Sequence, residues 1–169
     1  MRSGFPAAIA SAALLASGCM YSLTGGGLPS HIDTVAVLPF ENATTQPLLD
    51  SDVQQALQAE LPRTLGVRLA EENLADAVVR GTITGYDETA TSVRPSQDRE
   101  QVVVPQRQVR ITYSAEIYDR TEERILWRGQ SLVGLGNFSP QSNETATEGK
   151  ARAISDLVQK LIEGAQSQW

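Results

Sequence analysis

The apolar pattern of this chain predicts an α+β fold. It is a two-layer sandwich, with two amphipathic helices packed on one face of a mixed sheet of about four strands, in the order β-α-β-β-β-α. Three observations carry this prediction. A nearly continuous apolar run at residues 34–40 is followed by a segment with helical spacing. Two later segments alternate apolar and polar residues and are joined by a charged turn. A longer helical stripe closes the chain. Helices and strands that are apolar on one side bury those sides by stacking as layers.

The chain opens with Met1 and Arg2 and continues into small and apolar residues 5–16, interrupted by Pro6 and Ser11. The segment then runs through Leu15-Ala16-Ser17-Gly18 into Cys19, the one cysteine of the sequence. A basic start, a short apolar centre and small residues before a cleavage point are the parts of a secretory signal. The apolar centre is well short of the ~20 residues a helix needs to span a bilayer, so residues 1–18 are expected to be removed. A single thiol forms no intramolecular disulfide. The junction resembles a bacterial lipobox, with Ala16 standing where a larger aliphatic residue is usual. This implies a covalent lipid on Cys19 as the chain's sole attached group, with no other cofactor. Met20 follows, in place of the aspartate that often retains lipoproteins in the inner membrane, so an outer-membrane, periplasm-facing location is expected.

Residues 19–31 read as a lipidated cysteine and flexible tether, since Gly25-Gly26-Gly27 and Pro29 favour loose and turning backbone. Residues 32–169 read as one domain. The run Thr34-Val35-Ala36-Val37-Leu38-Pro39-Phe40 predicts a buried strand, with pairing interrupted at Pro39 for want of an N–H. Residues 41–47 are expected as a loop. Leu49, Val53, Ala56, Leu57 and Leu61 share one helical face, opposite Gln54, Gln55, Gln58 and Glu60. Pro62 ends or kinks that helix. Residues 67–69 predict a short edge strand.

Residues 77–86 predict a strand with Val79, Gly81, Ile83 and Gly85 on one side and Val78, Arg80, Thr82, Thr84 and Tyr86 on the other. The polar stretch 87–101 is the least ordered by sequence, and β character resumes at residues 102–104. The alternation of Val109, Ile111, Tyr113, Ala115 and Ile117 with Arg110, Thr112, Ser114, Glu116 and Tyr118 is the clearest strand signal. A turn at residues 119–124 leads to a strand carrying Ile125, Trp127, Gly129, Ser131 and Val133, making a hairpin. Residues 134–143 are expected as a loop. The last helix carries Ala146, Lys150, Ala153, Ile154, Leu157, Val158, Leu161 and Ile162 as a stripe. Thr145 and Glu148 have capping-box spacing, and Gly164 is the expected stop.

The 169 residues carry a net charge of −6, and removal of Arg2 with the signal makes the remainder more negative. That balance disfavours nucleic-acid binding and supplies no polybasic patch for an anionic membrane surface. His31 is the one histidine. A Ser-His-Asp or Cys-His centre and a zinc cluster are therefore not expected, and no metal or catalytic residue is assigned. The glycines at 25–27 follow no strand and open no helix, so they form no phosphate loop. Glu122-Glu123 reads as a solvated turn. The residues thus describe a lipid-anchored binding or assembly module, not an enzyme.

Four segments in order add a resemblance. They are Cys19-Met20-Tyr21-Ser22-Leu23-Thr24-Gly25, the stretch Leu28-Pro29-Ser30-His31-Ile32-Asp33-Thr34-Val35-Ala36-Val37-Leu38-Pro39-Phe40-Glu41-Asn42, the stretch Ala75-Asp76-Ala77-Val78-Val79-Arg80-Gly81-Thr82-Ile83-Thr84-Gly85-Tyr86, and Ile125-Leu126-Trp127-Arg128. Together the chain resembles the LptE family, the lipoprotein component of the outer-membrane lipopolysaccharide translocon. The resemblance implies a two-helix, four-stranded sandwich seated in an LptD-like β-barrel, with lipopolysaccharide as the lipid partner. A phosphate-bearing lipid calls for arginines at strand ends or loops. The candidates are Arg94, Arg99, Arg107 and Arg110, and Arg120 and Arg124 at the hairpin turn, against the alternative that these are ordinary surface charges. Strands of the Val-Ala-Val-Leu-Pro-Phe type also occur in other periplasmic lipoproteins. A secretion-pore subunit or an activator of a cell-wall synthase is therefore the alternative function. A free lipid carrier, with an apolar cavity under the helices, is a third.

Overall fold

The computed structural model describes residues 27–91 and 106–168. Cys19, the signal segment, Arg94, Arg99 and the expected strand at 102–104 lie outside the described residues. The elements are β1 (Thr34–Val37), β2 (Glu41–Asn42), α1 (Leu49–Leu65), β3 (Arg68–Leu69), β4 (Ala77–Thr91), β5 (Gln106–Asp119), β6 (Arg124–Phe138), a 3-10 turn (Pro140–Ser142) and α2 (Ala146–Gln166). Two helices cover one face of a mixed sheet, as the sequence predicts, but the sheet has six strands and not about four. Its order is β3-β1-β4-β5-β6, with β2 also paired to β4.

Of the two further strands, β3 is the short edge strand expected at residues 67–69, and β2 follows from Pro39. Pairing of β1 with β4 stops where the N–H is missing and resumes in parallel at Glu41↔Thr82, so residues 41–42 are strand and not loop. Phe40 fills the interruption, buried against the open side of Gly81. The helix α1 crosses over between parallel partners β1 and β3, while β4, β5 and β6 form a long antiparallel meander. Pro62 falls in the last turn of α1, where one lost hydrogen bond is tolerated, and the helix ends at Gly66 with φ of 70°.

The alternating residues Val109, Ile111, Tyr113, Ala115 and Ile117 face the helices and are buried, as their spacing predicts. Two adjoining strands do not keep the expected phase. A bulge between Ile83 and Gly85 reverses the faces of β4, so Tyr86 packs against the core and not on the open side. A bulge opposite Ser114, with Ser131 at φ of 53°, does the same to β6. Beyond it the core side carries Leu132, Gly134, Gly136 and Phe138, so the segment expected as a loop from residue 134 is strand as far as Phe138.

Helix α2 starts at the expected capping box: Thr145 Oγ1 accepts from the Glu148 N–H at 3.3 Å, and the Thr145 N–H donates to Glu148 Oε2 at 2.6 Å. It does not stop at Gly164. That glycine lies inside the helix, where a side chain would collide with the Trp127 indole. The two helices are tied by the ion pair Lys150 Nζ–Asp52 Oδ2 at 2.7 Å. The space beneath them is filled by Leu49, Val53, Leu57, Leu157 and Leu161, each fully buried. The N-terminal boundary also shifts. Residues 27–31, expected as tether, belong to the fold: Leu28 packs on the core, the Ile32 N–H donates to the Pro29 carbonyl at 2.9 Å, and His31 is bonded to Asp119.

Candidate functional site

The helices cover one face of the sheet and leave the other to polar side chains. Near β1 that open face is closed by a small apolar cluster of Ala36, Ala75 and Val78. Further along, the register sets Arg80 beside Glu116 and Glu116 beside Arg128 across β4, β5 and β6. Glu116 Oε1 accepts from Arg80 Nε at 2.6 Å, and its Oε2 accepts from Arg128 Nε at 2.8 Å and Nη2 at 2.6 Å. Arg80 also lies over the Tyr118 ring, 5.7 Å from its centroid. Burial raises the Glu116 carboxyl, but the hydrogen bonds and charges of Arg128 and Arg80 outweigh it, leaving the group below its ordinary range.

One carboxylate thus holds two half-exposed guanidiniums in place. Each keeps N–H donors that Glu116 does not occupy. A shallow cavity of about 380 Å³ lies here, lined by Arg80, Thr82, Ser114, Glu116, Arg128 and Gln130, with Glu41 at its rim. This arrangement is suited to hydrogen-bonding phosphate or sugar oxygens. Sequence reasoning did not single these residues out. Their alternation was visible, but their alignment across three strands depends on the pairing register, including a shift between Ile117 and Tyr118 where β5 meets β6.

The four described arginines predicted by sequence divide between opposite ends of the sheet. Arg107 pairs with Glu88 Oε1 at 2.9 Å and lies over the Phe138 ring at 6.0 Å. Arg110 is exposed on the open face between Asp87 and Leu135 in the register. Arg120 donates to the Glu72 carbonyl and, at 3.3 Å, to the Ala75 carbonyl, tying the hairpin turn to the loop before β4. Arg124 pairs with Glu122 Oε2 at 2.6 Å. At ~3.3 Å per strand residue, the pair at 107 and 110 lies roughly 40 Å from the pair at the turn. The structure therefore does not gather the four described arginines into one site. Arg107 and Arg110 share the sheet end from which residues 92–105 depart.

A second concavity of about 740 Å³ runs between the helices on their outer side, with Ala56, Ile154, Val158 and Ile162 as its apolar floor and Lys150 and Asp52 at its polar edge. Among the described residues no helix is long and apolar enough to cross a membrane.

The sequence model of the LptE lipopolysaccharide-assembly family matches residues 32–166. No curated protein sequence matches the chain. Similar solved structures include the protein CT253 from Chlamydia trachomatis, at 12% identity and a TM-score of 0.51, covering 80% of this chain and 99% of that one. A neuraminyllactose-binding hemagglutinin homolog from Helicobacter pylori has 11% identity and a TM-score of 0.50, covering 85% and 88%. A minor lipoprotein from Acinetobacter baumannii has 16% identity and a TM-score of 0.49, covering 80% and 92%. At these identities the likeness to the first two concerns the fold alone.

Proposed function

The chain belongs to the LptE family of lipopolysaccharide-assembly lipoproteins, and from that premise we propose that it is a non-catalytic component of the outer-membrane lipopolysaccharide translocon. In this reading a lipid on Cys19 holds it at the outer membrane, facing the periplasm. An LptD-like β-barrel is its protein partner, and lipopolysaccharide is the lipid it helps deliver to the outer leaflet. The observation that carries the reading is the family match, which spans every described helix and strand.

The open sheet face is consistent with it. Arg80 and Arg128 offer bidentate donors of the kind that recognise phosphate, and Arg107 and Arg110 stand at the sheet end that residues 92–105 adjoin. The core beneath the helices is packed, which favours an assembly role over a carrier with an internal lipid cavity.

Detergent extraction of the membrane-bound protein, followed by affinity capture and mass spectrometry, is expected to recover a β-barrel protein in stoichiometric amount. Recovery of peptidoglycan synthases or a homo-oligomeric ring, with no barrel, would sink the proposal. The lipid contact is tested separately by lipopolysaccharide binding to folded variants. Joint Arg80→Ala and Arg128→Ala replacement is expected to weaken binding about tenfold, near the worth of one charge-assisted contact. Unchanged binding would remove the open face from the lipid site. The triple replacement Arg94→Ala, Arg99→Ala and Arg107→Ala tests the segment at the sheet end in the same way.

A further inference from the structure

We propose that His31, Asp119 and Glu122 form a binding site for a divalent cation of the zinc class, which pins the segment before β1 to the β5–β6 turn. His31 Nε2 lies 2.7 Å from Asp119 Oδ2 and 4.0 Å from Glu122 Oε1. The three donor atoms all lie within 4.8 Å of one another. One imidazole nitrogen with two carboxylate oxygens is a donor set that zinc and neighbouring transition metals accept, whereas magnesium and calcium favour oxygen alone. With metal–ligand distances of ~2.0–2.2 Å, tetrahedral donors stand roughly 3.3 Å apart. The His31–Asp119 contact has to open slightly and Glu122 has to close in. His31 and Glu122, whose side chains are 32% and 49% exposed, have room for that adjustment.

The surroundings prepare each ligand. Asp119 is fully buried, and its Oδ1 accepts from the backbone N–H groups of Thr121 at 2.8 Å and Glu122 at 3.0 Å. Those bonds hold the carboxylate so that Oδ2 is the oxygen left for His31. Glu122 is likewise divided: Arg124 Nε engages Oε2 at 2.6 Å, while Oε1 is the oxygen nearest the imidazole. Such outer contacts orient ligands in metal sites. His31 is itself presented by a docked segment, between packed Leu28 and buried Ile32. Three protein ligands leave a fourth position for water. The ligands come from two segments 88 residues apart in sequence, so a bound ion would cross-link the segment before β1 to the central hairpin. This inference does not depend on the translocon reading.

The test is calorimetric titration of zinc into the purified full chain carrying Cys19→Ser, so that no thiol competes, and freed of affinity histidines. One equivalent is expected to bind with a dissociation constant on the order of micromolar, and zinc is expected to raise Tm in a manner reversed by EDTA. His31→Ala is expected to weaken binding at least about tenfold, and Glu122→Gln by less, with circular dichroism confirming that both remain folded. Magnesium is expected to give no heat. Absence of zinc binding, or equal affinity in folded His31→Ala, overturns the proposal.

Discussion

At Asp76 a single carboxylate oxygen accepts three hydrogen bonds, from the Asp33 N–H at 3.1 Å, the Thr34 N–H at 2.9 Å and Thr34 Oγ1 at 2.7 Å. The Thr34 hydroxyl in turn accepts from the Asp76 N–H at 3.0 Å. This reciprocal clasp sets where β1 begins beside β4. The Thr34 side-chain bond is the largest influence and holds the Asp76 carboxyl below its ordinary value of 3.8, against a smaller opposing effect of burial. Because the folded value is the lower one, the group's contribution to stability is present above about pH 4 and disappears as pH falls through the folded value. Asp76→Ala is expected to cost about 1–3 kcal/mol near neutral pH. In urea titrations at stepped pH, the gap between wild type and variant should narrow in acid. A gap that stays constant down to pH values of about 2 would refute the clasp. By sequence Asp76 is one acidic residue just before the strand predicted at residues 77–86, and its three donors became visible only when residues 33 and 34 were brought alongside. His31 is the sharper case. By sequence it is a lone histidine in a glycine-rich stretch, and by structure it touches a buried aspartate.

The placement of α2 shows the same dependence at the scale of an element. Its stripe, its capping box and the packing of Leu157 and Leu161 were all legible, because helical periodicity and cap chemistry are local. Its seat was not. Gly134 and Gly136 looked like loop residues, yet they lie on β6, where the helix backbone comes too close for any side chain. A Cβ on Gly134 would stand 2.5 Å from the Ala153 carbonyl oxygen, and one on Gly136 would press into the Gly149 carbonyl and the Ala153 N–H. Gly136→Ala is therefore expected to cost about 1–3 kcal/mol or more through forced separation of helix and strand. Gly66 makes the comparison. It has open space around it but a φ of +70°, so Gly66→Ala is expected to cost about 1–2 kcal/mol from backbone strain alone. Hydrogen exchange separates the two mechanisms. Gly136→Ala should lower protection along α2 and β6, while Gly66→Ala should act mainly at the end of α1. Equal protection of α2 in both variants would contradict the close-approach account.

For the molecule as a whole, the two faces of the sheet carry different duties. The helix face holds the aliphatic core, including Tyr113, whose hydroxyl donates to the Leu157 carbonyl at 3.0 Å and is pushed well above its ordinary range by burial. The open face holds the Arg80–Glu116–Arg128 array. The proposed anchor acts from outside the described fold. Replacing Cys19 with serine is expected to move the protein from the detergent phase to the aqueous phase on phase separation, since each buried methylene of an acyl chain adds ~0.8 kcal/mol of membrane affinity. Mass spectrometry of the wild-type N-terminal peptide is expected to show the added acyl mass on Cys19. An unmodified cysteine, or a Cys19→Ser protein that still enters the detergent phase, would rule out lipid anchoring at this residue.

The sequence by itself determined the α+β class, the two helices, the strand of residues 109–117, the pairing break at Pro39 and the cap at Thr145. Each of these depends on spacing within a few residues or on the chemistry of one side chain. Only the tertiary structure decided the number of strands, the faces of Tyr86 and Leu132, the helical seat for Trp127 at Gly164, and the meeting of Arg80 with Arg128 and of His31 with Asp119. The strand number, the Trp127 seat and the two meetings depend on contacts between residues far apart in sequence, and the faces of Tyr86 and Leu132 depend on the bulges at Thr84 and Ser131. One unpaired residue reverses every later side chain on its strand, and the cost is repaid by packing against α2, which lies far away in sequence.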